Sequence, residues 1–431
     1  MRRRMLELLD DRARSGQPLR IGLIGCGTFG TMLLSQARRL SGVEVVAVAD
    51  LSPPRAAAAL ERTGFASSDV AVEDNGYALA AMERLDLVVE ATGAPLAGVE
   101  HALAAIEHGH HVVMVNVEAD ALAGPVLAAR AGKEGVVYSL AYGDQPALVC
   151  ELVDWARACG FDVTCAGKGT KYLPSFHDVT PETVWEQYGL TAAQVADGGY
   201  SARMFTSFID GTKSAVEMVS VCNAAGLQPQ AEGLRFPPAG TDELARVCIP
   251  VDDGGLLTRA GTVEVVSSVD RDGRAVERDL RWGVYVTFEA PDREVAAWLR
   301  AYGLATNPTG QYAALYRPYH LIGLEATVSV LSAALLGEPT GRPDGFRADA
   351  VAVAKRDLRG GEALDGEGGF SVYGALVGAA ESITDGLLPV GLAQGLRLHR
   401  DIRRGERLRL VHVDEPTAST ALDLRSAMQV A

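Results

Sequence analysis

The feature that most restricts the fold of this chain is a glycine-rich turn directly after an apolar run near the N-terminus. Residues 19–24 read Leu-Arg-Ile-Gly-Leu-Ile, which is typical of a buried parallel strand. The pattern after the turn predicts a helix. The turn itself has the sequence Gly25-Cys26-Gly27-Thr28-Phe29-Gly30. A strand, a G-x-G-x-x-G turn and a helix in this order indicate a dinucleotide-binding unit.

Each residue of the turn has a predicted role in holding a dinucleotide. Gly25 permits the tight turn, Gly27 lets a pyrophosphate approach the backbone, and Gly30 lets helix and strand pack closely. Thr28 and Phe29 open the helix, whose free N–H groups and dipole favour an anion. The alternative is a glycine-rich turn without a ligand.

An acidic residue ends the next predicted strand at the position where a ribose would bind. Asp50 follows Gly30 by 20 residues, and its carboxylate is expected to take the ribose hydroxyls of the adenosine half. A carboxylate there favours NAD, because it repels a 2′-phosphate. The nearby Arg55 offers the opposite charge, so the choice between NAD and NADP stays open.

The N-terminal third alternates predicted strands and helices, which indicates an α/β fold with a doubly wound parallel sheet of the Rossmann type. Two further predicted strands end at Glu90 and Val115. Ligands of such sheets bind beyond the carboxyl ends of the strands. We therefore expect the nicotinamide to be lined by side chains and backbone that follow these strand ends, namely Thr92, Gly93, Asn116 and Glu118. Ordinary loop residues are the alternative.

The pattern changes after residue 142 and predicts a second and a third domain. We predict a Rossmann domain over 18–145 and an α+β substrate, catalytic and oligomerisation domain over 146–340. The second domain is expected to contain a lysine-rich loop after a strand at 161–166, one long helix at 204–225, and a hairpin of strands 262–268 and 276–288. A loose half-repeat, Arg-Asp-apolar-x-x-Gly-Glu-x-Leu, begins at Arg356 and again at Arg400. It suggests a C-terminal β-clip module over 346–413.

Charge and composition exclude several kinds of partner. The net charge of -15 argues against nucleic acid or an anionic membrane, and an anionic ligand would need a local cluster of Lys or Arg. No apolar stretch is long enough to span a bilayer, and the six cysteines show no CxxC spacing. We expect a cytoplasmic protein that binds a small molecule and forms a homo-oligomer, taken as a dimer.

The first domain resembles homoserine dehydrogenases and the wider Gfo/Idh/MocA group. The whole chain resembles bacterial homoserine dehydrogenase-like oxidoreductases with a C-terminal SAF domain, which include enzymes that convert 1-deoxyxylulose 5-phosphate to 2-methylerythritol 4-phosphate with NADPH. The stretches that carry the resemblance are Ala141-Tyr142-Gly143-Asp144-Gln145-Pro146, Gly167-Lys168-Gly169-Thr170-Lys171-Tyr172, Phe208-Ile209-Asp210-Gly211-Thr212-Lys213 and Tyr316-Arg317-Pro318-Tyr319-His320-Leu321. The chain lacks the Asn-Gly-Thr-x-Asn motif of homoserine dehydrogenases, so homoserine itself is not expected as the substrate.

Candidate catalytic residues lie in the second domain. Lys168 and Lys171 are expected in a loop that can fold over a ligand, where a lysine can polarise a carbonyl or hold a phosphate. Asp210 and Lys213 are expected on one helix face with Glu217, and the resemblance implies an acid and a lysine on such a helix. Solvated surface groups are the alternative for both sets.

Histidine is the remaining candidate for acid–base work, because its imidazole titrates near neutral pH. His320 is the preferred residue and His177 the second, with a purely structural histidine as the alternative. No spacing requires a metal, although a weak divalent cation site among Asp144, Asp178, Asp210 and Glu217 is allowed.

These residues together predict an enzyme that transfers hydride between NAD(P) and a small polyhydroxylated or phosphorylated carbonyl compound. The same cofactor-binding and catalytic residues would also serve a reductoisomerase of the 1-deoxyxylulose 5-phosphate type, which the resemblance implies. A semialdehyde reductase of the homoserine dehydrogenase kind and a non-catalytic NAD(P)-binding regulator are the alternatives.

Overall fold

The structure is a computed structural model that describes residues 2–66, 68–198, 200–416 and 419–428. By its internal contacts the chain divides into two compact units. The first unit comprises Met1–Leu148, His320–Asp344 and Ser419–Ala431, and the second comprises Val149–Tyr319 and Gly345–Ala418. The finer boundaries at 145/146, 340 and 346–413 stay predictions.

In the described part of the first unit, six strands form a parallel sheet. They are β1 (Leu19–Ile24), β2 (Val43–Ala49), β3 (Ala71–Glu73), β4 (Leu87–Glu90), β5 (His111–Met114) and β6 (Tyr138–Leu140). Their order, β3-β2-β1-β4-β5-β6, reverses between β1 and β4. The predicted α/β sheet of the Rossmann type is therefore confirmed, with its ligand edge at this reversal.

Helices alternate with these strands, as the sequence predicts. They are α1 (Arg2–Arg14), α2 (Thr28–Ala37), α3 (Pro53–Thr63), α4 (Gly76–Ala80), α5 (Pro95–Glu107) and α6 (Val117–Lys133). Apolar residues of β1 and β2 pack with those of α2 and α3 in one core. All four residues of β4 are buried, which explains its unbroken apolar sequence before Glu90.

The second unit contains a mixed sheet in the order β10-β11-β9-β7-β8. Its strands are β7 (Asp162–Thr170), β8 (Thr262–Ser267), β9 (Val284–Glu289), β10 (Ala305–Thr306) and β11 (Tyr312–Arg317). The helices along this stretch are α7 (Gln145–Ala158), α8 (Val184–Tyr188), α9 (Ala192–Gly198), α10 (Ala202–Ile209), α11 (Thr212–Ala225), α12 (Leu244–Val247) and α13 (Arg293–Ala301), with 3₁₀ turns at Pro174–Asp178 and Val251–Asp253.

Three local predictions for this segment are wrong. The strands β8 and β9 do not form a hairpin, because β7 lies between them and pairs with both; the predicted turn closes only one bridge, between Val269 and Ala275. The predicted long helix is broken at Gly211, whose φ of +94° ends α10 and starts α11. Lys168 lies on β7 and not in a loop.

The remaining elements are α14 (Thr327–Leu331), β12 (Ala348–Ala354), β13 (Val372–Gly378), α15 (Ala379–Asp385) and α16 (Thr420–Met428). A π-helical turn, Ser332–Leu336, continues α14, and 3₁₀ turns lie at Val390–Leu392 and Leu410–His412. The strands β12 and β13 form an antiparallel pair. Within the first unit, α16 packs on α6.

The two copies of the half-repeat pair with each other. Leu358 and Ile402, which occupy equivalent positions, each donate a backbone N–H to the other's carbonyl at 2.9 Å. The preceding aspartates, Asp357 and Asp401, each accept a backbone N–H from the opposite copy at 2.9 Å. The repeat therefore builds two equivalent turns that hold each other.

Within the described residues, no helix is both long enough and apolar enough to cross a bilayer.

Candidate functional site

The turn after β1 has the geometry that its glycines predict. Gly25 has a φ of +99°, and a Cβ there would lie 2.6 Å from the carbonyl oxygen of Ala91. A Cβ at Gly30 would lie 2.2 Å from the carbonyl oxygen of Gly25. Both positions therefore exclude a side chain because the backbone of the fold itself is too close.

Gly27 differs from Gly25 and Gly30 because the protein leaves space for a side chain there. No atom lies within 4 Å of a Cβ built at Gly27, and the residue is exposed with an extended backbone. Gly27 is also the N-cap of α2, and no side chain caps this helix end. The N–H groups of Thr28 and Phe29 are therefore open to an anion. The space and the donors fit a dinucleotide pyrophosphate.

The carboxylate of Asp50 at the end of β2 is held on several sides. It accepts backbone N–H groups from Cys26 at 3.0 Å and Ser52 at 2.8 Å, and the guanidinium of Arg55 at 2.6–3.1 Å. Burial acts against the charged carboxylate, yet these hydrogen bonds keep the pKa of Asp50 below its usual value. The side chain of Arg55 is 58% exposed, so a positive charge lies on the solvent side of Asp50.

A buried polar network follows β4. Glu90 is fully buried and accepts hydrogen bonds from the Thr92 hydroxyl and, at 3.2 Å, from Nδ1 of His101. Asn116 donates to the Thr92 hydroxyl at 3.2 Å and to the Ala94 carbonyl at 3.0 Å. Glu90 and His101 were not among the predicted site residues, because no sequence spacing relates them to Asn116. The network fixes the loop that contains Gly93.

The other two predicted residues at this edge are less enclosed. Gly93 is exposed, with no atom within 4 Å of a built Cβ. Glu118 lies half-buried in the first turn of α6. A role of Thr92, Gly93, Asn116 and Glu118 in nicotinamide binding stays a prediction.

In the second unit, Lys168 forms a buried ion pair with Glu217 of α11. Lys168 is 6% exposed and Glu217 is 4% exposed. The interpretation of these groups as a solvated surface is therefore wrong. Burial of two charges is costly unless they remain paired, so removal of either partner should destabilise the fold.

A second buried ion pair joins Asp210 to a lysine that the sequence did not point to. The Asp210 carboxylate lies 2.8 Å from Nζ of Lys355, and neither side chain is more than 2% exposed. Nζ of Lys355 also donates to the carbonyls of Val179 and Gly369. Lys355 directly precedes the first half-repeat, in a segment that showed no catalytic pattern.

The remaining predicted catalytic residues are not members of these two pairs. Lys171 donates to the carbonyl of Gln187 at 2.6 Å, and burial, aided by Arg281, lowers the pKa of its ammonium. Lys213 is half-buried in the first turn of α11, so it shares a helix with Glu217 but not with Asp210. His320 is half-buried and belongs to the first unit. Catalytic roles for Lys168, Lys171, Asp210, Lys213 and His320 stay predictions.

The second unit also contains a cavity of about 190 Å³ beside Asp210. Its lining includes His177, Phe236, Tyr373 and Arg407. The ring of His177 stacks on Tyr373 with a centroid distance of 4.1 Å, and its Nδ1 lies 2.7 Å from the carbonyl of Asp210. Burial lowers the pKa of His177, so its imidazole is neutral near pH 7.

One wall of this cavity has a strained backbone. Phe236 has a φ of +51°, which is uncommon for a large side chain, and its ring stacks on Tyr172 at 3.9 Å. The buried carboxyl of Glu264 accepts the backbone N–H groups of Arg235, Phe236 and Val265 at 2.9–3.2 Å. Glu264 therefore holds the strained turn in place.

This arrangement predicts a pH-dependent stability. Burial raises the pKa of the Glu264 carboxyl from 4.5 to about 7. Between these values the folded chain keeps a proton that the unfolded chain has lost, so stability falls as pH rises through this window. The expected loss is roughly 3 kcal/mol. In urea unfolding between pH 4.5 and about 7, the Glu264→Gln variant should not show this loss of unfolding free energy. A Glu243→Gln control at an exposed site should show the same loss as the wild type. Equal pH slopes in wild type and Glu264→Gln would contradict this.

Among the described residues, no group of three or more His, Cys, Asp or Glu side chains is placed to hold a metal ion.

Two family models match separate parts of the chain. Residues 22–140 match the NAD-binding domain of homoserine dehydrogenase. Residues 143–326 match the catalytic domain of the oxidoreductase DRL. No curated protein matches the chain.

Several solved structures are distantly similar. Biliverdin reductase from Synechocystis sp. PCC 6803, solved with biliverdin and NADP+, is 20% identical over 36% of this chain and 48% of its own, with a TM-score of 0.28. Myo-inositol dehydrogenase from Lactobacillus casei, solved with NAD(H) and myo-inositol, is 20% identical over 39% of this chain and 50% of its own, with a TM-score of 0.29. 1-Deoxy-D-xylulose 5-phosphate reductoisomerase from Zymomonas mobilis, solved with NADPH, is 16% identical over 73% of this chain and 81% of its own, with a TM-score of 0.39. The chain spans about half the length of the first two. At TM-scores this low, these structures define neither its fold nor its substrate.

The two domain matches define the class of protein. An NAD-binding domain precedes an oxidoreductase catalytic domain, and the first carries the open glycine turn described above. The chain therefore combines an NAD-binding domain of the homoserine dehydrogenase type with an oxidoreductase catalytic domain. The catalytic-domain match favours an enzyme over the non-catalytic regulator.

Proposed function

We propose that the protein transfers hydride between NADP(H) and the carbonyl carbon of a small polyhydroxylated or phosphorylated compound. The observation that carries this proposal is the open N-terminus of α2. At Gly27 the protein leaves space and uncapped donors that it does not use itself. When bound there, the nicotinamide cofactor supplies the hydride.

The chain's own residues would bind the cofactor and donate the proton to the substrate oxygen. The N–H groups of Thr28 and Phe29 hold the pyrophosphate, and Asp50 with Arg55 holds the adenosine ribose. A hydride that reaches a carbonyl carbon leaves negative charge on the oxygen, which then takes a proton. Lys168 is the proposed donor, because its ion pair with Glu217 fixes the ammonium group in position.

The resemblance of the whole chain supports a second form of this reaction. In a reductoisomerase of the 1-deoxyxylulose 5-phosphate type, a carbon-skeleton rearrangement precedes the reduction. Product analysis by NMR separates the two, since only the reductoisomerase changes the carbon connectivity. The same resemblance supports an SAF-type β-clip at 346–413, in line with the mutual pairing of the half-repeat. A cytoplasmic homodimer also stays a proposal, and sedimentation tests the dimer.

Arg55 is expected to select NADP over NAD. Its guanidinium can pair with a 2′-phosphate and at the same time offset the charge of Asp50. The Arg55→Ala variant should bind NADPH about tenfold or more weakly, with little change for NADH, as expected for one lost charge-assisted contact. Calorimetric titration with both cofactors measures this. An Arg62→Ala variant, exposed on the same helix, is the control. Equal losses for both cofactors would contradict this role.

A further inference from the structure

A groove in the C-terminal part of the second unit is lined by three arginines. It has a volume of about 540 Å³ and borders the second copy of the half-repeat. Its charged and polar lining consists of Asp385, Arg400, Glu406, Arg407, Arg409 and His412. In a chain with a net charge of -15, such a cluster of arginines is unexpected.

The half-repeat accounts for only one of these arginines. The two copies of the half-repeat build equivalent turns, and in each an Arg–Glu pair closes the turn: Arg356 with Glu362, and Arg400 with Glu406. Beyond this shared pair the copies differ. The first copy has Ala363 and Asp365 where the second has Arg407 and Arg409, and both turns form. Arg407 forms an ion pair with Glu381, so Arg409 is the groove arginine that neither the repeat nor this ion pair accounts for.

The groove also contains a histidine that lacks a satisfactory set of partners. Nδ1 of His412 lies 3.2 Å from the backbone N–H of Arg409, and Nε2 lies 3.0 Å from the guanidinium of Arg400. A neutral imidazole accepts only one hydrogen bond, so one of its nitrogens must bring an N–H against another donor. An acceptor between these donors would relieve the conflict.

We propose that this groove binds a small, multiply charged oxyanion, the phosphate group of a phosphorylated metabolite. Planar guanidinium groups match phosphate oxygens with paired hydrogen bonds, and Arg400 and Arg409 are the expected donors. The site lies in the second unit, is separate from the glycine turn, and goes beyond the proposed hydride transfer.

Inorganic phosphate is the probe for this site. Calorimetric titration of the full chain should show binding in the range of about 1 mM or tighter, the usual scale of metabolite sites. The Arg400→Gln and Arg409→Gln variants should each lose about tenfold or more in affinity, as expected for one lost charge-assisted hydrogen bond. Circular dichroism shows whether each variant is folded.

Arg356→Gln is the matched control, because Arg356 occupies the position equivalent to Arg400 and makes the same pair with a glutamate. It should cost similar stability and leave phosphate affinity unchanged. A Gly27→Val variant should also keep phosphate binding, which separates this groove from the pyrophosphate site. Equal losses in Arg356→Gln and Arg400→Gln would overturn the proposal, and so would citrate binding tighter than phosphate.

The titration of His412 gives a second readout. Burial and the neighbouring Arg400 and Arg409 lower its pKa, and only Glu406 opposes them. A bound phosphate adds negative charge beside the ring, so it should raise this pKa in NMR titrations of histidine-labelled protein. An unchanged pKa at saturating phosphate would overturn the proposal even if a variant failed to fold.

Discussion

The Gly27→Val variant is expected to fold normally and to lose nicotinamide cofactor binding. A Cβ at Gly27 meets no atom of the protein, so the native structure should accept the side chain. The same side chain would occupy the space in which a pyrophosphate contacts the N–H groups of α2. Loss of two charge-assisted hydrogen bonds costs about 3 kcal/mol, or at least about 100-fold in affinity.

Gly132→Val is the matched control for this change. Gly132 is exposed near the end of α6, and a built Cβ there also meets no atom within 4 Å. Calorimetric titration with NADH and NADPH should show normal affinity in this control. Unchanged cofactor affinity in a folded Gly27→Val protein would refute the assignment of the site.

The Lys168→Met variant is expected to lose both stability and turnover. Methionine keeps the length of the side chain but leaves Glu217 as a buried, unpaired charge, which costs about 3 to 5 kcal/mol. Loss of a donor to the developing oxyanion lowers turnover by roughly 10²–10³. Urea unfolding and steady-state kinetics measure the two effects separately.

The double variant Lys168→Met with Glu217→Gln separates a chemical role from a structural one. Removal of both charges should restore most of the stability, because no unpaired charge remains buried. If Lys168 donates the proton, turnover stays low in the double variant. Recovery of turnover together with stability would show that the lysine acts only through the fold.

The sequence determined the first sheet well because local signals and tertiary structure agree there. The turn at Gly25–Gly30 follows an apolar strand and leads into a helix that begins at Thr28. The second unit was harder to predict. The strand β7 pairs with two strands that lie about 100 residues or more further along the chain, and no local pattern contains this pairing. The break at Gly211 was missed because apolar residues at helical spacing resume beyond it, at Val216 and Val219.

In the candidate site, too, residues in local sequence motifs were predicted and residues joined only by the tertiary fold were not. Gly27 and Asp50 could be placed from spacing, because the dinucleotide motif is local in sequence. The ion-pair partners of Lys168 and Asp210 could not be identified from the sequence. Lys355 lies 145 residues after Asp210, and only the tertiary fold joins them. His101 and Glu264 were also missed, since a single buried polar residue has no sequence pattern.

The most direct test of the account is a turnover assay that follows the near-ultraviolet absorbance of reduced nicotinamide. Phosphorylated ketoses, sugar acids and amino-acid semialdehydes would be supplied in turn, with NADH and NADPH, to the wild type and to Gly27→Val. The account predicts that the wild type oxidises NADPH with at least one phosphorylated or polyhydroxylated carbonyl compound, and that Gly27→Val does not. Turnover that persists in a folded Gly27→Val protein, or its absence in the wild type with every compound, would contradict it.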